Sequence, residues 1–418
     1  MNSKHPIITI VLAGALWAAP SLAQTRDEAL RDALQPYWHH QYGAAAGQVR
    51  ALAERPGASA ETHAWLAEVY RRLDERTEAR REAHRAVAMG DCASFAHTVL
   101  GDLYNPQLSS WDEANADSAW AHYRAAVACD PADGGAWMAI HMEALRRDDR
   151  QAAEQALRRL HEAGFFSGSA LAYNRWVLES LPRGSILLTN GDLDTYPALV
   201  LQLAEGVRPD VAVVNVGLLD AAWYAGSVSR AHDLPLPLPV EQLDTITPEY
   251  VDSTAAVKYI AYRVVQSWVR SAREGRMQRP VVFARTGDPT LLGVHMDSLV
   301  SLGTGYRIPS AGERAGVDLD AVDAALARVV PADYATPAFT PGDRSVVRRT
   351  FPNQMAQIVF EVGLWRADQA AERQDWAGAR RWIEWAGRFA DAARLPPEHR
   401  ERLQETSDRT RPTEFDAR

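Results

Sequence analysis

The chain has 418 residues, 47% hydrophobic and 24% charged, the balance of ordinary globular protein rather than of a disordered chain. Its formal net charge of −9 lacks the phosphate-neutralising basic footprint of a nucleic-acid binder. Only one segment is apolar enough to suggest a membrane, which excludes a multi-span transporter or membrane-embedded enzyme, and the length predicts two or three domains.

That segment opens the chain. Lys4 and His5 precede an apolar run from Ile7 to Ala19, and Ser21 and Ala23 set small residues at the third and first positions before Gln24. A short basic region, a short apolar core and a small-x-small site define a secretory signal peptide. The run falls short of the roughly 20 residues a spanning helix needs; an uncleaved N-terminal anchor is the alternative. Residues 1–23 are therefore expected to be a signal peptide. The rest of the chain is expected to be periplasmic or secreted, with no membrane span after cleavage. Disulfides form in that compartment. Cys92 and Cys129 read either as a bridge or as two small core residues in adjacent helices. Two cysteines alone make no zinc site.

Residues 25–165 repeat themselves. Leu66-Ala67 with Tyr70 recurs 34 residues later as Leu100-Gly101 with Tyr104, and Ala119, Tyr123 and Ala126 recur at the same offset as Ala153, Leu157 and Leu160. A small residue lets two helices approach closely, and the aromatic fills the space beside it. This period and placement resemble the tetratricopeptide repeat, which implies stacked helix pairs with a concave face. Residues 27–56 read as a further, degenerate pair. The register places Glu68, Arg71, Asp102, Met138 and Met142 on the concave face, as a groove for a protein partner. The alternative is a spacer that packs on the next domain. His63 and His97 occupy equivalent positions turned toward the partner helix, which makes them core histidines rather than a metal pair.

From about residue 175 the pattern changes. Apolar runs at 185–189, 211–215 and 280–284 alternate with helical stretches, and 299–308 reads as a fourth strand interrupted by Gly303 and Gly305. Continuous apolar strands alternating with helices predict a mostly parallel, Rossmann-like three-layer α/β domain over 175–345. Ser253 or Thr254 is the expected cap of a long helix running to Arg273. Residues 350–393 form a helical pair, and 394–418 a charged tail. The fold class is thus α plus α/β.

The densest polar cluster follows the first strand, at Thr189 to Pro197. In open parallel sheets ligands bind beyond the carboxyl ends of the strands. Thr195 is the expected N-cap of the next helix, with Pro197 in its first turn. Asn190, Asp192, Asp194, Thr195, Asn215 and Arg285 are the candidate ligand-binding residues. Thr286 and Asp288 follow the third strand, and Trp223, Tyr224 and His295 are candidate cleft walls. Three readings compete for the loop: a structural turn whose carboxylates cap their own helix, a ligand or metal site, and a catalytic acid–base pair. The spacing of known phosphatase, esterase, zinc-protease and phosphate-loop motifs is not met. No cofactor is implied.

The run Leu187-Leu-Thr-Asn-Gly-Asp-Leu-Asp-Thr-Tyr-Pro197, then Glu205-Gly-Val-Arg-Pro-Asp210, Val213-Val-Asn-Val-Gly-Leu-Leu219 and Trp223-Tyr224 form one recognisable segment. It resembles the soluble C-terminal region of large bacterial membrane proteins related to the transmembrane protein O-mannosyltransferases. Leu193 departs from an Asn in that pattern and Tyr196 from a Phe. The resemblance reaches roughly from 180 to 392 and is specific over 187–224. It implies a shared extracytoplasmic α/β module with helical repeats. It does not carry over glycosyl transfer, because the family's catalytic part is its multi-span membrane portion. The expected function is an exported, non-catalytic accessory protein. Its repeats would bind a protein partner and its α/β domain a glycan, small molecule or second partner, in envelope glycan or glycoprotein biogenesis. The alternatives are an extracytoplasmic enzyme acting on glycans or phosphoesters through Asp192 and Asp194, and an envelope scaffold.

Overall fold

The computed structural model describes residues 22–90, 92–108, 113–250, 257–335 and 354–410, and the chain divides into two compact units, residues 1–89 and 90–418. Most of the expected signal peptide, up to residue 21, lies outside the described residues. None of the described helices is long and apolar enough to cross a membrane.

The first unit holds α1 (Leu22–Ala33), α2 (Gln35–Trp38), α3 (Tyr42–Ala53), α4 (Ala60–Arg72) and α5 (Arg76–Met89). Ser59 starts α4 by accepting the Thr62 N–H. Helices α4 and α5 form a hairpin around Ala67, Ala79, Ala83 and Ala86, all fully buried. His63 bonds Glu82 of the facing helix at 2.8 Å. Glu68 is a correction to the groove reading. It is buried, and its carboxylate takes donors from Arg71, Arg72 and the Tyr37 hydroxyl. A carboxylate withdrawn from water must be paired in this way, which consumes both Glu68 and Arg71 inside the unit.

The second unit begins with two more hairpins, α6 (Ser94–Tyr104) with α7 (Ala116–Cys129) and α8 (Gly134–Arg146) with α9 (Arg150–Glu162). The small position is enforced at Gly101, where an added Cβ would overlap the Tyr123 ring. His97 meets His122 of α7 at 3.0 Å. Cys92 and Cys129 are bonded, with Cα atoms 5.2 Å apart. Asp102 accepts the Tyr123 hydroxyl at 3.0 Å.

The α/β part follows as α10 (Gly168–Ser180), β1 (Ile186–Thr189), α11 (Asp192–Glu205), β2 (Ala212–Asn215), α12 (Ala222–His232), α13 (Val240–Leu243), β3 (Glu249–Tyr250), β4 (Val257–Lys258), α14 (Ile260–Arg273), β5 (Val281–Ala284), β6 (Val300–Ser301), β7 (Gly305–Arg307), β8 (Gly316–Val317) and α15 (Leu319–Ala327). The six-stranded sheet has the order β2-β1-β5-β7-β6-β8. Strand β1 is parallel to β2 and β5, and β6 to β8, whereas β7 runs antiparallel to β5 and β6. The sheet is therefore mixed, with five strands running one way and β7 alone running against them. The single strand expected over 299–308 is a hairpin, because Gly303 turns the chain at φ +78° and Gly305 allows β7 to lie against the Phe283 carbonyl. Helix α14 begins at Ile260, and its expected caps Ser253 and Thr254 lie outside the described residues.

Alternate strand residues feed two cores. Leu187, Val213 and Val282 pack with α10, α11 and α15, while Ile186, Val214 and Phe283 pack with α12 and α14. Arg208, with φ +47°, ties the starts of the layers together. It donates to the Leu178 and Leu181 carbonyls and forms a bidentate pair with Asp210, which itself accepts the Gly184 N–H.

Three helices close the first core: α16 (Gln354–Ala371), α17 (Trp376–Ala392) and α18 (Glu398–Arg409). Charge composition alone suggests a tail beyond 394, yet Arg402 pairs with Glu361 and Arg409 with Asp368, which fastens α18 to α16.

Met138 and Met142, expected on an open concave face, pack against an apolar cluster that includes Leu157 and Leu160 of α9 and Tyr196 and Val200 of α11. At this hairpin the face expected to be open packs on the α/β part.

Candidate functional site

The site grows from the end of β1. Gly191 is the N-cap of α11, Asp192 its first residue and Asp194 its third. The cap is thus four residues earlier than Thr195. Asp194 is buried and accepts the N–H groups of Asn190 at 2.9 Å and Gly191 at 2.8 Å. The Thr286 hydroxyl, arriving from the end of β5, also donates to it. Burial raises the Asp194 pKa above the ordinary carboxylate range, and these donors hold it back.

Thr195 and Asn215 belong to the same internal network. The Thr189 and Thr195 hydroxyls meet at 2.6 Å, and the Asn215 amide donates to Thr195 at 3.1 Å. Asn215 also accepts the Leu218 N–H, and its own N–H donates to the Tyr224 hydroxyl. These groups lock β1, β2, α11 and α12 at one edge.

Pro197 lies inside α11 rather than in its first turn. Proline has no N–H, so the Leu193 carbonyl loses its helical donor. Asn174 of α10 supplies the missing bond at 2.8 Å. Sequence reasoning missed Asn174, since nothing in its own neighbourhood announces a partner nineteen residues on.

The remaining candidates form an open rim. The side chains of Asn190, Asp192 and Arg285 have no hydrogen-bond or ion-pair partner among the described residues. Asn190 stands against Gly287, beside Thr286. Asp192 is exposed; displaced water and then the Asp194 charge push its carboxyl up. Arg285 lies over the Tyr306 ring at 5.8 Å and walls a cavity of about 640 Å³ that also borders α16 and α18. The Tyr173 phenol is buried with no hydrogen-bond partner among the described residues, within the electrostatic reach of Asp194 and Arg285. The Thr304 hydroxyl, in the turn beside Ala284, is likewise buried and unpartnered.

Tyr224 joins the network, with Trp223 edge-on at 5.8 Å. His295 does not converge on the site. It belongs to the segment leading to the opposite sheet edge, where Ser298 accepts a bond from Arg273. Among the described residues no three His, Cys, Asp or Glu stand close enough to hold a metal ion.

Residues 170–299 match the family model described as TMEM260-associated domain 2. That span begins in α10, contains the whole β1 network and ends before β6. The chain is similar to the protein O-mannosyl-transferase tmem260 of Dictyostelium discoideum, with 38% identity over 52 residues, 12% of this chain and 6% of the relative. It is also similar to the protein O-mannosyl-transferase TMEM260 of Mus musculus, with 34% identity over 58 residues, 14% of this chain and 8% of the relative. The chain thus spans less than a tenth of the length of these curated relatives. No solved structure matches it.

Proposed function

We propose that this chain is an exported, non-catalytic recognition protein of glycoprotein or envelope-glycan biogenesis. Its α/β part holds a glycan or another small polar ligand at the carboxyl ends of β1 and β5. Its tetratricopeptide-like hairpins serve a protein partner. The carrying observation is the division of the polar cluster. Asp194, Thr195, Asn215 and Thr286 satisfy one another, while the side chains of Asn190, Asp192 and Arg285 have no hydrogen-bond or ion-pair partner among the described residues. An amide, a carboxylate and a guanidinium together accept and donate in several directions, which suits vicinal hydroxyls. The buried Tyr173 and Thr304 hydroxyls add two unmet groups close by. The similarity to proteins named as O-mannosyl-transferases supports the glycan class. The enzyme reading requires two working carboxylates, and three donors already occupy the buried Asp194.

Thermal shift tests the reading. Mannose, methyl mannoside and a mannosyl-threonine peptide are titrated against wild type and the Asp192→Ala/Arg285→Ala double variant. Ligand at about 100 times its dissociation constant stabilises by about 2.7 kcal/mol. At about 2–4 °C per kcal/mol the midpoint rises by several degrees in wild type and stays put in the variant. A flat response from wild type to the whole panel defeats the glycan assignment. Release of free sugar from the peptide would restore the enzyme reading.

A further inference from the structure

The amino ends of β1 and β2, opposite the candidate site, carry a second groove, of about 1040 Å³, between the 234–238 strip and α14. Its floor is set by Arg279, whose guanidinium donates to the Gly184 and Asp210 carbonyls, just before β1 and β2 begin, and to His232. The strip alternates leucine and proline. Prolines at 235 and 237 lack N–H groups, so the strip forms neither a helix nor an inner strand. The Trp268 indole holds it by donating to the Pro235 carbonyl at 2.6 Å. Leu236 is left half-buried and Leu238 is 39% exposed.

The facing wall is cationic. Arg263 and Arg270 line the groove from α14, are exposed, and have no hydrogen bond or ion pair among the described residues. Seven residues apart, they share one helix face at about 10 Å spacing. Arg276 is bonded to Glu274, and Asp233 is the sole carboxylate among the groove's lining residues. In a chain of net charge −9 this is a basic island with an apolar wall.

We infer that the groove binds an acidic, leucine-bearing peptide segment of a partner protein in an extended, polyproline-type conformation. In that conformation residues three apart lie on one side and rise about 9 Å, which matches the arginine spacing. Carboxylates then meet Arg263 and Arg270 while leucines cover Leu236 and Leu238. A sulfated polysaccharide answers the arginines and leaves the leucines wet.

The test is fluorescence anisotropy with the full chain and a labelled peptide of four Glu-Leu-Pro repeats, which sets acids three residues apart. Binding is expected to weaken about tenfold in R263E/R270E and several-fold in L238D, and to fall with added salt. Both arginines and Leu238 are exposed, and an unchanged melting midpoint confirms that each variant folds. Four Gln-Leu-Pro or Glu-Ser-Pro repeats should bind at least several-fold more weakly. Equal binding by either control peptide, equal binding by R263E/R270E, or no binding by the Glu-Leu-Pro peptide overturns the inference. So does heparin binding that depends on both arginines while the peptide fails to compete. None of these readouts involves Asp192 or Arg285, so the glycan-site assignment stands or falls separately.

Discussion

The side-chain amide of Asn174 donates to the Leu193 carbonyl at 2.8 Å, the acceptor that Pro197 cannot serve. One helix thus repairs a defect in another, at the point where the candidate site begins. Asn174→Leu removes the donor and leaves a buried carbonyl unpaired, at an expected cost of about 1–3 kcal/mol. Adding Pro197→Ala restores a helical N–H to Leu193. The cost of Asn174→Leu should therefore shrink by about 1 kcal/mol or more in the Pro197→Ala background, measured by urea unfolding in a double-mutant cycle. Equal costs in both backgrounds would refute the repair.

His141 gives the second unit a pH dependence. The imidazole is buried, donates to the Ala153 carbonyl at 3.0 Å and lies edge-on to Tyr196. Burial pushes its pKa down from 6.5 to about 4. The folded state therefore resists the proton that the unfolded chain accepts. Its contribution to stability is full above pH 6.5 and is lost as the pH falls toward 4. The loss amounts to roughly 3 kcal/mol. His141→Ala installs the residue type found at the equivalent Ala67, and should flatten the urea midpoint between pH 7 and 4. An unchanged slope would place the dependence elsewhere.

The Cys92–Cys129 bond closes a loop of sequence separation 37 around the α6–α7 hairpin. By loop entropy it stabilises by about 4 kcal/mol at most. Denatured, unreduced protein purified from an oxidising compartment should show no free thiol, and Cys92→Ser/Cys129→Ser should melt well below wild type. Two titratable thiols in the unreduced protein would contradict the bridge.

The three central strands are legible because each is a short, largely apolar run between turn residues, and the 34-residue offset marks the helix pairs. Two glycines within 299–308 fit an interrupted strand and a hairpin equally well in sequence; the positive φ of Gly303 decides for the hairpin. The candidate site was half legible. Its residues are legible at the ends of three strands, but the separation of Asp194 from Asp192 depends on Thr286, ninety-two residues away. The concave-face residues failed for a different reason. Register states which side of a helix a residue occupies, not what covers that side, and Glu68 and Met138 are covered by quite different things. Arg208 and Asp210 were visible as motif residues, while their clamp on Leu178, Leu181 and Gly184 was not.

The packing of the half-buried Met138 and Met142 toward α11 sets what an excised α/β part would expose. The span that matches TMEM260-associated domain 2 opens at residue 170, after α8 and α9. Excised there, it would carry Tyr196, Val200 and Leu203 as a bare greasy flank. A host that received only that span would have to recolour the flank with charged residues or supply a lid of the same shape. Keeping the third hairpin covers that flank and moves the problem one step back, because Ile140 and Ala156 then lose Ala119 and Tyr123 of α7.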